Sequence, residues 1–145
     1  MSTIMILFMT LLLQAGIIDE ISVGSIQVEV TDLKNTEGQL GVLVFEKNDG
    51  YPEDFKKALR STLVPIEADT MTVVIEDLPY GDYVVTVMHD KNSNDKLDKN
   101  FFGKPKEGTG VSNNPNGRKF GPPKFENGII QLSEDTKHLS IKMKY

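Results

Sequence analysis

Hydrophobic residues recur at every second position through most of this chain. Ile26, Val28 and Val30 alternate with Gln27, Glu29 and Thr31, the pattern of a strand with one face buried. Leu40 to Phe45 predicts a second strand, entered from a turn marked by Gly38 and the polar run Lys34 to Glu37. Ser61 to Glu67 predicts an edge strand, because Pro65 removes a ladder donor that a central strand would need. Thr70 to Glu76 and Tyr83 to His89 are rich in Val, Ile, Thr and Tyr and predict a strand pair, joined by the turn Leu78-Pro79-Tyr80-Gly81-Asp82. Gly128 to Leu132 and Lys137 to Lys144 predict two closing strands, with Leu139, Ile141 and Met143 inward and His138 outward. Tyr51 to Leu59 departs from this period. Pro52 followed by two acids, with Phe55 four before Leu59, predicts a short helix or helical turn. The expected architecture is all-β, an antiparallel β-sandwich of about seven strands with one short helix.

The connection from Asp90 to Glu126 is too long for a structureless loop inside a compact domain. Four of the seven phenylalanines lie in it, Phe101, Phe102, Phe120 and Phe125, a content of large rings that argues against a solvated linker. The expectation is an Ω-like flap over 90–126, tied to the sandwich by those rings. Its first residues place oxygens at alternate positions. Asp90, Asn92 and Asn94 occupy the first, third and fifth places of a calcium loop, the Lys96 carbonyl the seventh and Asp98 the ninth. A hard cation needs six to eight oxygens, and alternate side chains on a curling backbone can all turn inward. The sixth place holds Asp95 rather than glycine and the twelfth Phe101 rather than glutamate; a helix–loop–helix hand is excluded by the strand before and the helix breakers after, and the missing ligand is expected from Glu107 or from Asp98 acting bidentately. An Asx-rich turn, in which the same side chains cap backbone amides, stays open as the alternative.

At 145 residues the chain is long enough for one domain with a real core. Met1 to Leu13 is apolar and uncharged, too short to span a bilayer, and is followed by Gln14-Ala15-Gly16. This predicts a signal peptide over residues 1–15, a single mature domain over 16–145, and a periplasmic or extracellular location. The absence of cysteine removes disulfides, thiolate chemistry and a lipoprotein anchor, so no stable membrane insertion is expected after cleavage. Net charge is −5, but Asp90 to Lys124 carries eight basic against four acidic residues. The acidic remainder argues against nucleic acid as a partner.

The run His89-Asp90 to Asn114, then Phe120-Gly121-Pro122-Pro123-x-Phe125, resembles the bacterial family known as domain of unknown function 2141. Leu78-Pro79-x-Gly81-x-Tyr83 and the Gly41 to Phe45 strand fit the same pattern. The Leu-Pro-x-Gly-x-Tyr segment also resembles a signature of transthyretin-like and carboxypeptidase-regulatory-like sandwiches, of the prealbumin or immunoglobulin-like kind. The resemblance implies an exported bacterial β-sandwich protein and no particular activity.

No catalytic constellation stands out. His89 reads as a structural hydrogen-bonding residue at a strand end, and Ser112 and Ser133 lack a nucleophile context. The expected function is therefore non-enzymatic: a secreted domain whose Asp/Asn loop binds calcium and orders the flap for contact with a protein or glycan partner. The alternative is a carbohydrate or small-ligand module with a purely structural loop, using Tyr51, Tyr80, Phe101 and Phe102 as stacking surfaces.

Overall fold

The computed structural model describes residues 20–117 and 120–145; the expected signal peptide lies outside them. Among the described residues eight strands follow in order: β1 (Val23–Thr31), β2 (Gln39–Phe45), β3 (Arg60–Pro65), β4 (Met71–Pro79), β5 (Gly81–Asp90), β6 (Thr109–Val111), β7 (Ile129–Leu132) and β8 (Thr136–Lys142). They form two sheets. One has the order β4-β1-β8; the other runs β3-β2-β5, with β6 and β7 sharing the remaining edge of β5.

The period-two pattern does what it predicts. Ile26, Val28 and Val30 of β1 are fully buried and face Leu40, Val42 and Val44 of β2 and Tyr83, Val85 and Val87 of β5 in one core between the sheets. A slip of one residue in any of these strands would exchange its buried and exposed faces, so register is fixed by the pattern itself. The pair β1–β8 is parallel, whereas the expectation was uniformly antiparallel. The chain crosses from one sheet to the other between β7 and β8, which brings β8 alongside β1 in the same direction.

Strand β5 is buried on both faces. Its outer side, with Leu43 and Phe45 of β2 and Met88, is covered by Tyr51, Phe55, Ala58, Leu97 and Phe125. Tyr51 stands edge-to-face against Phe45 (6.0 Å) and Phe125 (5.4 Å). Residues 51–59 form successive helical turns rather than a continuous short helix: Asp54 donates to the Gly50 carbonyl (2.9 Å) and Ala58 to that of Asp54 (3.1 Å). Isolated turns do not propagate because helix nucleation is costly, and here Phe55 and Ala58 are held by packing on the sheet instead. The helical element among the described residues is a 3-10 turn at Phe125–Gly128.

The flap is anchored differently from expectation. Of its four phenylalanines Phe125 packs in the outer cluster of the sandwich, whereas Phe101, Phe102 and Phe120 are 98%, 89% and 80% exposed. Backbone and polar contacts do the anchoring. Between the rungs that β6 and β7 make with β5, the Val85 amide is taken by the buried Ser112 hydroxyl (3.0 Å), which in turn donates to the Gly128 carbonyl. Farther on, the Asn114 side chain bonds the Ser140 carbonyl (2.8 Å) and the Lys142 amide (2.7 Å), crossing to the free edge of β8.

Candidate functional site

Asp90 closes β5 directly opposite Gln39 of β2 and is fully buried. Its Oδ1 accepts the Asn94 amide (3.1 Å), and Oδ2 accepts the Asp95 amide (2.8 Å) and the Gln39 side-chain amide (2.9 Å). The backbone reaches this arrangement by placing Ser93 and Asp95 in the left-handed region (φ 54° and 60°), which Asp tolerates through its short polar side chain. Gly38 makes room for it. A Cβ there would lie 2.1 Å from the Asp90 carbonyl oxygen and 2.5 Å from that of Lys91, and its φ is +73°.

Glu107, nearly buried, joins the two arms of the loop. Its Oε1 accepts the Lys91 amide (2.9 Å) and its Oε2 the Asp98 amide (3.0 Å). At the open side, Asp98 is the point of convergence: its two oxygens accept the side-chain amides of Asn92 (2.7 Å) and Asn94 (3.1 Å). The Asn94 Oδ1 also accepts the Lys96 amide (3.1 Å). Of the residues expected to surround a cation, Asp90 and Glu107 therefore form a buried floor of capped amides, whereas Asn92, Asn94 and Asp98 meet at the surface. Lys96, expected to offer its carbonyl, is itself exposed. Among the described residues no group of three His, Cys, Asp or Glu side chains is placed to hold a metal.

Gln39 is a site residue that the sequence alone does not reveal. Its Nε2 bridges Asp90 Oδ2 and Asp95 Oδ1 (2.7 Å), and only the β2–β5 register brings it there. His89 sits beside this floor with both ring nitrogens engaged, by the Glu37 carbonyl (2.8 Å) and the Tyr145 hydroxyl (2.7 Å). A carbonyl only accepts, so Nε2 carries the hydrogen and Nδ1 accepts from Tyr145. That is a structural role. Lys91 pairs with Glu37 (2.7 Å), and this carboxylate raises the ammonium above its ordinary range.

From Asp98 to Lys106 the chain forms a small hairpin. Lys106 donates to the Asp98 carbonyl (2.8 Å), Lys99 bridges Pro105, and Asn100 donates to the Lys104 carbonyl (2.8 Å). The Asn100 side chain accepts the amides of Phe102 (2.9 Å) and Lys104 (3.0 Å), closing the tip. Leu97 roots the hairpin in the outer cluster, and an ion pair between Lys99 and Glu53 ties it to the 51–59 turns.

The model of a bacterial family, described as an uncharacterised protein conserved in bacteria with domain of unknown function 2141, matches residues 28–140. The chain belongs to this family. The matched span runs from within β1 into β8, so it contains the Asp90–Glu107 network, the hairpin and the Ser112 tie. No curated protein and no solved structure matches the chain. Within the family span the Leu78-Pro79-x-Gly81-x-Tyr83 turn has a clear physical basis: Leu78 is fully buried, and the Tyr83 hydroxyl donates to the Pro79 carbonyl (2.7 Å).

The four rings considered as a stacking surface are not gathered into one groove. Tyr80 lies at the start of β5, roughly 30 Å along the strand from Asp90, and Tyr51 is enclosed between Phe45 and Phe125. Only Phe101 and Phe102 stand together, edge-to-face at 5.6 Å.

Proposed function

We propose that this chain is a non-enzymatic, secreted binding domain whose Asp90–Glu107 loop takes a hard cation, calcium by its oxygen chemistry, and so sets the flap for contact with a partner. The observation that carries this reading is the meeting of Asn92 and Asn94 on the two carboxylate oxygens of Asp98. Turning either amide over would present its oxygen instead of its nitrogen, and calcium accepts neutral amide oxygens, backbone carbonyls and water alongside carboxylates. A further fact favours it. Asp90, Asp95, Asp98 and Glu107 are all close in this loop, yet among the described residues none is ion-paired with a lysine or arginine. Their hydrogen bonds come from amide groups instead. The secreted location rests on the apolar, uncharged opening segment of the sequence.

Calorimetric titration of the chelator-treated protein with calcium, together with thermal melts, tests the proposal. Heat with millimolar or tighter affinity and a raised melting temperature are expected, both lost in Asp98→Ala. Absence of heat and of any thermal shift in the native protein would sink it, leaving the loop as an Asx-rich turn.

A further inference from the structure

We propose that the Asp98–Lys106 hairpin, with Lys96 at its base, is a membrane-docking tip, which seats Phe101 and Phe102 in the interface of an anionic lipid bilayer. The proposal stands on the hairpin alone, whether or not the loop beneath it takes a cation. Phe101 and Phe102 are the two most exposed large hydrophobic side chains among the described residues, and their ring contact is with each other. Water is the costliest place for them. Their exposure is built in, not a consequence of slack chain. The Asn100 carboxamide fixes the amides of Phe102 and Lys104, Gly103 donates to the Asn100 carbonyl (2.9 Å), and Gly103 itself adopts φ +76° with nothing within 4 Å of a built Cβ. The result is a convex, pre-shaped projection.

Charge decides the partner. Residues 96–106 carry Lys96, Lys99, Lys104 and Lys106 against Asp98 alone, a local +3 on a chain of net −5. Lys99 is paired with Glu53, while among the described residues Lys96, Lys104 and Lys106 have no ion-pair partner. Two apolar rings at a tip with cations just behind them match a surface with an apolar layer beneath a negative one. From the Lys99–Pro105 bridge to the tip is about two residues, roughly 7 Å of strand, comparable with the depth at which interfacial segments sit. A convex tip complements a deformable bilayer directly, whereas a protein partner would have to supply a matching pocket.

The full chain lacks tryptophan, so Phe102→Trp introduces a single reporter. With vesicles containing phosphatidylglycerol, its emission is expected to shift to the blue, and with phosphatidylcholine alone it is expected to stay unmoved. In co-sedimentation, Phe101→Ser/Phe102→Ser should reduce binding to the anionic vesicles at least about tenfold. Lys104→Glu should reduce it about fivefold or more, with the native protein's binding weakening as salt rises. Because both rings are exposed, the double variant should melt with the native protein, which excludes unfolding as the cause. Emission unmoved by anionic vesicles, equal binding to both vesicle types, or binding undiminished in the double variant would each overturn the proposal. Every protein tested begins at Gly16, without the apolar opening segment, so adsorption through that segment contributes to none of these outcomes.

Discussion

The Ser112 hydroxyl donates to the Gly128 carbonyl while accepting the Val85 amide at 3.0 Å, so one buried side chain closes the gap where β6 ends and β7 begins on the same strand. Replacing it with alanine would strand an N–H and a carbonyl in the interior. Ser112→Ala is therefore expected to lower stability by about 2 to 5 kcal/mol, read from urea denaturation. A change below about 1 kcal/mol would mean that water or a backbone shift satisfies both groups.

Gly38 and Gly103 share a left-handed backbone but not a neighbourhood. At Gly38 a Cβ would collide with two backbone oxygens, whereas at Gly103 it would meet open space. Gly103→Ala should cost only the conformational penalty, about 1 to 2 kcal/mol. Gly38→Ala should cost clearly more, since the Asp90 turn must move as a whole. Equal losses in chemical denaturation would contradict the packing of β2 against the loop.

Glu107→Gln keeps the size of the side chain but replaces one acceptor with a donor that faces an amide. A loss of about 1 to 3 kcal/mol is expected. Hydrogen exchange at whichever of the Lys91 and Asp98 amides then faces the NH2 group should quicken before the rest of the protein does, because that bond is lost while the carboxamide oxygen keeps the other. Uniform quickening would instead point to global destabilisation.

Burial, with a smaller contribution from Glu126, raises the Tyr51 phenol from its ordinary value to about 12. The folded state thus holds this proton more tightly than the unfolded chain does. The associated stability is complete below about pH 10, the unfolded value, and is lost as pH rises toward 12. Tyr51→Phe should flatten that part of the alkaline denaturation curve. An absorbance titration showing all four tyrosines ionising together near pH 10 would refute the shift.

Much of the sandwich is legible in the chain because a half-buried strand writes its own period: Ile26, Val28 and Val30 could face inward only as a strand. Strand β6 is different. Thr109-Gly110-Val111 is too short to carry a period, and it exists because Gly110 leaves no Cβ where the Ile141 and Val87 side chains stand. Ring content also misleads about direction, since composition counts phenylalanines without showing that the Asn100–Gly103 turn aims two of them outward. Alternation of Asp90, Asn92 and Asn94 correctly marks a curled polar loop. The division into a buried floor and an open mouth depends on Gln39 and Glu107, which reach it through strand register and through a residue well down the chain.

The Asn114 bonds to β8 also bear on how the molecule behaves in a crowd of its own copies. A bare strand edge is a template on which another chain can add itself, rung by rung, and such growth needs adjacent free donors and acceptors. One carboxamide, taking the Ser140 carbonyl and the Lys142 amide, interrupts that row near its end. Self-association through this edge would first have to evict it, and the Thr109–Lys144 backbone pair just beyond closes the same row, so the two together guard the domain against polymerising along β8.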